Sequence, residues 1–286
     1  MKHFKSAVSF IALYTLLSSA MAQPPKPLPA KTKIVNPAIA THNSSSRSIT
    51  NLEYSLNAVL WQQRSGEYKA LCYQTFAIAK FKLNEKIAIH KKDEMPLAIV
   101  TDIDESVLDN SPQQASDILH DRTYTEVNWK DWTSRAEAGA LPGSVAFFQY
   151  ADKMGIQCFY VSNRRPEERD ATIKNLLQAG FPQSDTVHVI MKDASADKEL
   201  RRQKIKEQYT IALFVGDNLN DFDKMFFGQP FYTRGNLVRD NSDLFGDIFI
   251  ILPNAMYGDW ESAIWNGKKI TPEEANKLKH EALSEY

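Results

Sequence analysis

From Pro96 onward, short apolar runs alternate with stretches of helical periodicity, and this alternation constrains the fold more than any other feature of the chain. The apolar runs cover residues 97–100, 156–161, 187–191, 211–215 and 248–252. Helical patterns cover about 143–154, 166–179 and 196–208, and Gly180 directly after the second is a typical helix end. Strands that alternate with helices predict an α/β fold with a parallel sheet covered on both faces. In such folds ligands bind beyond the carboxyl ends of the strands.

The segment from residue 51 to about 92 has a different apolar pattern, because its apolar residues recur at helical spacing. Gly66 stands where one helix would give way to another, so two helices are predicted before the sheet. We therefore expect a single domain over residues 51–286, with an α/β core at about 96–255 and helical additions that form a smaller, mainly helical subdomain.

The first 22 residues have the pattern of a secretory signal peptide. A basic start, an apolar stretch over residues 7–17 and a small-x-small site predict cleavage after Ala22. The apolar stretch is too short for a membrane span, which needs about 20 residues. Gln23 stands where a lipid-attachment cysteine would be expected, so no stable membrane anchor is predicted. Residues 23–50, with five prolines and a serine run, are predicted to be a flexible leader of a secreted or, in a Gram-negative source, periplasmic protein.

Charge and cysteine content exclude several classes of protein. The chain has 34 basic and 35 acidic residues, and this balance argues against binding to a nucleic acid polymer. Two cysteines are too few for a disulfide framework. Cys72 and Cys158 could pair in an oxidising compartment or remain buried thiols, and the sequence leaves both alternatives open. The oligomeric state is open too, a homodimer included.

Polar side chains follow three of the predicted strands: Asp102, Asp104, Ser162, Asn163, Asp217 and Asp221. Any one of them could be an ordinary turn or cap residue. Their joint placement favours a site, because two carboxylates about 4 Å apart repel by about 4 kcal/mol at an effective dielectric constant of about 20. A cation or a proton must offset that repulsion, and where it is a cation, the hard oxygen ligands favour Mg²⁺. A magnesium ion beside an exposed aspartate is typical of phosphoryl transfer.

The order and spacing of these residues resemble a known family. Asp102-x-Asp104-x-Ser106, Ser162 and Gly216-Asp217-Asn218-x-x-Asp221 are similar to motifs of the haloacid dehalogenase superfamily, in its four-aspartate acid phosphatase branch. More narrowly, residues 102–112 (DIDESVLDNSP), 161–164 (VSNR), 214–222 (FVGDNLNDF) and 252–258 (LPNAMYG) resemble the bacterial class C acid phosphatases. Those include lipoprotein e phosphatases that act as 5′-nucleotidases. The likeness covers nearly all of residues 51–260.

The resemblance implies a role for each motif residue. Asp102 would be the nucleophile, and Asp104 would be the general acid and base that also lends its backbone carbonyl to the metal. Asp217 would be the third protein ligand of the metal, with Asp221 close by or just outside the ligand set. Ser162 would donate to a phosphate oxygen, supported by the backbone of Asn163.

The resemblance also implies roles for Lys198, Trp132 and Tyr257. The family's phosphate-binding lysine matches Lys198, which has an arginine three residues later, better than Lys192, and we favour Lys198. Trp132 and Tyr257 are expected to clamp a nucleobase or another aromatic leaving group, whereas Trp129 is assigned to the core.

The sequence thus predicts a secreted, magnesium-dependent acid phosphatase that acts on small phosphomonoesters, with 5′-nucleoside monophosphates as the expected class. Two alternatives remain. One is a phosphotransferase that uses the same chemistry. The other is a non-catalytic metal-binding or storage protein on the same fold, which the presence of Asp102 disfavours.

Overall fold

A computed structural model describes residues 55–286 of the chain, so the predicted signal peptide and leader lie outside the described residues. The strands are β1 (Leu97–Thr101), β2 (Leu108–Asp109), β3 (Gly139–Ala140), β4 (Gln157–Val161), β5 (Val189–Ile190), β6 (Thr210–Gly216) and β7 (Phe249–Ile251). The α-helices are α1 (Leu56–Arg64), α2 (Gly66–Ile89), α3 (Ser111–Leu119), α4 (Glu126–Arg135), α5 (Ser144–Lys153), α6 (Arg169–Ala179), α7 (Glu199–Lys206), α8 (Phe231–Asp240), α9 (Asp259–Ser262) and α10 (Pro272–Glu281).

Five strands form one parallel sheet in the order β5-β4-β1-β6-β7. The central strand β1 lies between β4 and β6, and its last residue, Thr101, is in register with Tyr160 of β4 and Val215 of β6. The segments that leave these three strands therefore start side by side. The predicted α/β fold with a parallel sheet is confirmed.

Alternate residues of the strands pack into two separate hydrophobic clusters. Ile99 and its register partner Cys158 point to the face covered by α2 and α5. Val100 and its partner Phe159 point to the opposite face, in a cluster that includes Ile205 of α7. This alternation follows from the period of two along a strand, and it explains why the strands are apolar on both sides.

The two predicted N-terminal helices are α1 and α2, and they meet at Ser65-Gly66 as expected. The Ser65 hydroxyl accepts a hydrogen bond from the backbone N–H of Tyr68 at 3.0 Å, which caps α2. The helix then buries Phe76 and Leu83 against the sheet.

Both cysteines are buried free thiols. Burial raises the pKa of Cys72 to about 11 and also raises the pKa of Cys158. Of the two alternatives that the sequence left open, the structure has the unpaired one.

Two predicted elements are shorter than their apolar or helical patterns. Over 187–191 only β5 is a strand, because the Asp185 carboxylate accepts the backbone N–H groups of Val187 and His188 and holds them in a turn. The helix predicted from residue 196 begins at Glu199, whose backbone N–H donates to Asp197 Oδ1 at 2.9 Å. Asx turns of this kind compete with regular structure.

The sequence patterns did not predict the small antiparallel ladder of β2 and β3, in which Leu108 pairs with Ala140. This ladder closes an insertion that carries α3 and α4 beside the carboxyl ends of the sheet. Across residues 55–286 no helix has both the length and the apolar character needed to cross a bilayer.

Candidate active site

A cavity of about 660 Å³ opens at the carboxyl ends of β1, β4 and β6. The predicted site residues on its wall are Asp102, Asp104, Asn163, Lys198, Asp217, Asp221 and Tyr257. Their backbone positions follow from the sheet order, since three adjacent parallel strands deliver their following residues to one edge.

Three carboxylates converge within this cavity. Asp102, Asp217 and Asp221 each offer an oxygen atom, and these atoms all lie within 4.8 Å of one another. The Ser106 hydroxyl lies 2.8 Å from Asp217 Oδ1 and 3.4 Å from Asp102 Oδ2, and Asn254 Nδ2 donates to Asp217 Oδ2 at 2.8 Å. The sequence predicted this convergence but left the place of Asp221 open, and its carboxylate lies within the cluster.

Burial makes these carboxylates hard to ionise without a cation. Burial raises the pKa of Asp102 to about 7; Lys198 counteracts the rise, and Asp221 and Asp104 add to it. Burial also raises the pKa of Asp217 well above its ordinary value, and its neighbours Asp221 and Asp102 raise it further. Such a group of buried acidic oxygens has the chemistry of a site for a hard divalent cation.

Lys198 supplies one positive charge to the cluster. Its ammonium group donates to Asp102 Oδ1 and lies 2.7 Å from Asp221 Oδ1, and only 5% of its side chain is exposed. Burial alone would lower the pKa of Lys198, but the carboxylates of Asp102 and Asp221 raise it, so the side chain is a cation. Lys192 lies outside this cavity, on a smaller one beside Arg165, so the structure places Lys198 in the site.

Asp104 has entirely different partners from Asp102, although the two are separated by one residue. Arg164 Nη2 and Nε donate to Asp104 Oδ1 at 2.7 and 3.0 Å, and Nε also lies 3.2 Å from Oδ2. The Arg164 guanidinium is buried, and Asn110 Nδ2 donates to the same Oδ1 at 2.8 Å. A planar guanidinium of this kind fixes the plane of the carboxylate as well as its position.

Ser162 and Asn163 are arranged by two arginines. The Ser162 hydroxyl is fully buried and accepts the backbone N–H of Arg164 at 3.0 Å. Arg201 donates to the Ser162 carbonyl and to Asn163 Oδ1, both at 2.7 Å. Asn163 lines the cavity, whereas Ser162, for which the sequence predicted a hydrogen bond to phosphate, is not among the lining residues.

The aromatic residues require a correction. Tyr257 and Trp129 line the cavity, and the Arg164 guanidinium carbon lies 5.7 Å from the centre of the Trp129 ring. Trp132 does not line it: its ring packs against the core and its indole N–H donates to Asn110 Oδ1 at 2.8 Å. The assignment of Trp129 to the core and Trp132 to the cavity is therefore reversed. The two residues are three apart on α4, a difference of about 60° around the axis, which periodicity does not resolve.

Gly216 has a spatial requirement at the end of β6. A Cβ atom at this position would lie 2.5 Å from both Cβ and Oδ2 of Asp221. Since real Cβ atoms do not approach so closely, only glycine lets the Asp221 side chain fold back against the strand end. The Asn218 backbone N–H then donates to Asp221 Oδ2 at 3.0 Å.

Asn110, Arg164 and Asn254 are among the site residues that received no role from the sequence. Each lies inside a segment that carries the family resemblance, so the signal was present. Their roles depend on which atom each side chain presents across the cavity, and spacing along the chain does not contain that information.

Comparisons with known proteins agree with this geometry. Residues 30–260 match the family described as the haloacid dehalogenase superfamily, subfamily IIIB (acid phosphatase). The fold resembles the solved class C acid phosphatase from Bacillus anthracis, with 42% identity, a TM-score of 0.79, and coverage of 82% of this chain and 99% of that one. A second structure of the Bacillus anthracis class C enzyme, with tungstate bound, matches with the same identity and TM-score and is covered over 98% of its length.

Two plant proteins are more distant relatives. The chain is 28% identical over 130 residues to acid phosphatase 1 from Solanum lycopersicum, and 26% identical over 125 residues to the stem 31 kDa glycoprotein from Glycine max. The matched segments are 43% and 42% of this chain, and the chain spans about half the length of each of these curated relatives, 50% and 49%.

Proposed function

The chain belongs to the acid phosphatases of the haloacid dehalogenase superfamily, subfamily IIIB, and on this premise we propose that it hydrolyses small phosphomonoesters through a phosphorylated Asp102. One observation supports the proposal most directly. Asp102 contacts a lysine within a group of carboxylates, whereas Asp104 is held by a buried arginine. Two carboxylates in such different surroundings suit two different roles, one as nucleophile and one as proton carrier.

In the first step the Asp102 carboxylate attacks the substrate phosphorus. A bond forms between the carboxylate oxygen and phosphorus while the bond from phosphorus to the ester oxygen breaks. Asp104, in its protonated form, gives its proton to the departing oxygen, which leaves as an alcohol. Lys198 and the backbone of Asn163 stabilise the charge on the remaining phosphate oxygens, and the buried Ser162 hydroxyl, which accepts the Arg164 N–H, supports this segment.

In the second step water releases the phosphate. Asp104, now ionised, takes a proton from the attacking water as the oxygen–phosphorus bond forms. The bond between phosphorus and Asp102 then breaks, which restores both aspartates and leaves inorganic phosphate as the product. One residue thus acts as acid and then as base.

A divalent cation fits the residues present, and we propose Mg²⁺. Asp102, Asp217 and the backbone carbonyl of Asp104 would hold it, with the carboxylate of Asp221 beside them. The donors are all oxygen atoms, and the raised pKa of the buried carboxylates indicates a cluster that lacks positive charge. When bound, the ion neutralises the charge on the nucleophile and on the phosphate oxygens.

For the substrate we propose 5′-nucleoside monophosphates among other small phosphomonoesters. Trp129 and Tyr257 line the same cavity as the nucleophile, and Tyr124 stands beside Trp129 with ring centres 6.4 Å apart. Stacking accepts any base, because each base has a π-face, so broad nucleotide acceptance is expected.

Replacement of Trp129 tests this substrate class. Trp129→Leu keeps the wall apolar but removes the aromatic face, and we expect KM for a 5′-nucleoside monophosphate to rise about tenfold. Glycerol phosphate has no ring to stack, so its KM should change by less than about threefold. Steady-state kinetics with both substrates measure the difference, and an equal change for both would contradict stacking on Trp129.

The proposed activity is tested by phosphate release from the purified wild-type protein. Nucleoside monophosphates, sugar phosphates, glycerol phosphate and aryl phosphates are assayed with Mg²⁺ and with a chelator. Release that requires Mg²⁺ supports the proposal, and excess glycerol in the same assay separates hydrolysis from transfer to an alcohol. No release from any substrate at any pH would overturn the proposed activity.

We also propose that the enzyme is exported and that its signal peptide is cleaved after Ala22. The support is the residue pattern of the first 22 positions. The intact mass of the protein recovered from the medium or periplasm tests this, because cleavage at the proposed site leaves Gln23 as the first residue.

A further inference from the structure

The side-chain amide of Asn110 connects Asp104 to a tryptophan that does not touch the cavity. Asn110 is fully buried at the end of β2. Its Oδ1 accepts the Trp132 indole N–H at 2.8 Å, and its Nδ2 donates to Asp104 Oδ1 at 2.8 Å. Glu105 contacts both the backbone and the side chain of Asn110. Its Oε1 accepts the Asn110 backbone N–H at 2.7 Å, and its Oε2 lies 3.3 Å from Asn110 Nδ2.

The groups around the amide determine which way it faces. An indole N–H is a donor only, so it requires the oxygen of Asn110. Arg164 Nη2, also a donor only, lies 3.5 Å from the same oxygen. The NH₂ group must then face the carboxylates of Asp104 and Glu105, which are acceptors when ionised. The chain from Trp132 through Asn110 to Asp104 is therefore satisfied in one orientation of the amide.

The two carboxylate oxygens of Asp104 accept unequal numbers of hydrogen bonds. Oδ1 receives Arg164 Nη2, Arg164 Nε and Asn110 Nδ2, at distances between 2.7 and 3.0 Å. Among residues 55–286, the hydrogen bond that Oδ2 accepts is the longer contact of 3.2 Å from Arg164 Nε. An oxygen that already accepts three hydrogen bonds has little capacity left for a proton, so Oδ2 is the oxygen suited to proton transfer.

We propose that Trp132 and Asn110 are positioning residues that hold the Asp104 carboxylate so that Oδ2 delivers the proton to the leaving group. The inference rests on the proposed function, in which Asp104 is the general acid. Trp132 contributes through its N–H alone: without that donor the Asn110 amide can rotate and present its oxygen to Asp104, where it would repel the carboxylate. The helix that carries Trp132 is fixed beside the site, because Thr133 Oγ1 donates to Glu168 Oε1 at 2.7 Å.

The test uses leaving groups that differ in their need for a proton. A p-nitrophenolate ion is a weak base and departs without an acid, whereas a nucleoside or glycerol alkoxide is a strong base and needs one. Trp132→Phe keeps an aromatic ring, although a smaller one, and removes the N–H. We expect kcat/KM for a nucleoside monophosphate and for glycerol phosphate to fall about tenfold, because the rotated Asn110 amide no longer donates to the Asp104 carboxylate. We expect kcat/KM for p-nitrophenyl phosphate to fall less than about threefold. The value of kcat/KM depends on the steps up to and including departure of the leaving group. The later attack of water, which is common to all substrates, therefore does not affect it.

Asn110→Asp is the second variant, since it replaces the amide donor with an acceptor at nearly constant volume. Its loss on the alkyl substrates should exceed that of Trp132→Phe, again with a smaller loss on the aryl substrate. Trp265→Phe, at a half-buried tryptophan that does not line the cavity, is the matched control and should leave all three values unchanged. Tungstate inhibition and thermal melting accompany each variant, because an intact phosphate site and fold should leave both near wild type.

The outcomes separate the inference from the function on which it rests. A larger loss for the alkyl substrates than for the aryl substrate supports the positioning role. An equal loss on all three substrates, or no loss in either variant, overturns it while the proposed function stands. A wild-type protein that releases no phosphate from any of the three overturns both.

Discussion

Asp102→Asn is expected to lower kcat/KM by a factor on the order of 10⁴ or more for every phosphomonoester, since removal of a nucleophile leaves only binding and electrostatic effects. The amide oxygen can still accept the Lys198 ammonium, and the side chain keeps its volume at the end of β1. It cannot attack phosphorus, so no phosphorylated aspartate forms. Phosphate release and capture of a phosphorylated protein after an acid quench measure the two consequences.

Asp102→Asn is also expected to change the pH dependence of stability in a way that a misfolded protein would not show. Burial raises the pKa of Asp102 to about 7, above the value of about 3.9 for an unfolded aspartate. The folded state thus binds this proton more tightly, and the contribution of Asp102 to metal-free stability falls as pH rises from about 4 to about 7. An asparagine does not ionise, so the metal-free variant should be at least as stable as wild type above pH 7 in urea unfolding.

Asp131→Asn is the matched control for this change. Asp131 is an exposed residue of α4 that pairs with Arg135, and its replacement should leave both activity and unfolding near wild type. Near wild-type turnover by Asp102→Asn would contradict a covalent mechanism at this residue. Loss of turnover together with a collapsed unfolding transition would instead point to a structural role.

The sequence was sufficient to predict which elements carry the site. Apolar runs with a polar residue directly after them identify strand ends, and parallel strands bring their ends to one edge. The sequence could place Asp102 and Asp217 at the same edge on this basis, and the structure adds that β1 and β6 are neighbours in the sheet. The carboxylate cluster is thus a consequence of topology, which patterning encodes well.

The sequence was insufficient where a role depends on the direction of a side chain. Trp129 and Trp132 lie on the same helix and differ by about 60° of rotation, yet one lines the cavity and the other donates to Asn110. Arg164 presents the same difficulty, since its contact with Asp104 joins residues 60 positions apart in the chain. Contacts of this kind are determined by packing in three dimensions, and they produce no periodic pattern in the amino-acid sequence.

The ends of two elements near short turns were also not predicted by the sequence. Asp185 and Asp197 each use a carboxylate oxygen to accept nearby backbone N–H groups, and they shorten a strand and a helix that hydrophobic patterning had extended. Apolar periodicity reports which residues are buried, whereas a turn depends on one side chain that competes for the backbone.

Lys198→Met is expected to lower kcat/KM by a factor on the order of 10³, because it removes a preorganised cation from the atoms that carry developing charge. Methionine fills a similar volume, so the change is mainly one of charge. In wild type the ammonium group lies between Asp102 and Asp221, and it is the cation that these two carboxylates contact within residues 55–286.

The same substitution should destabilise the metal-free protein. Removal of one partner from a buried ion pair costs about 3–5 kcal/mol, because the remaining charges are left uncompensated. Added Mg²⁺ should restore part of the loss, since a cation again neutralises the cluster. Urea unfolding with and without Mg²⁺ measures the cost and the recovery.

Lys192→Met is the matched control that decides between the two lysines. Lys192 lies outside the cavity that holds the aspartates, and a change at such a position usually alters stability by less than about 0.5 kcal/mol. Its kcat/KM should stay within about twofold of wild type, as expected for a side chain that does not contact the reacting groups. The reverse result, activity lost in Lys192→Met and kept in Lys198→Met, would assign phosphate binding to Lys192 and contradict the site as built from the geometry.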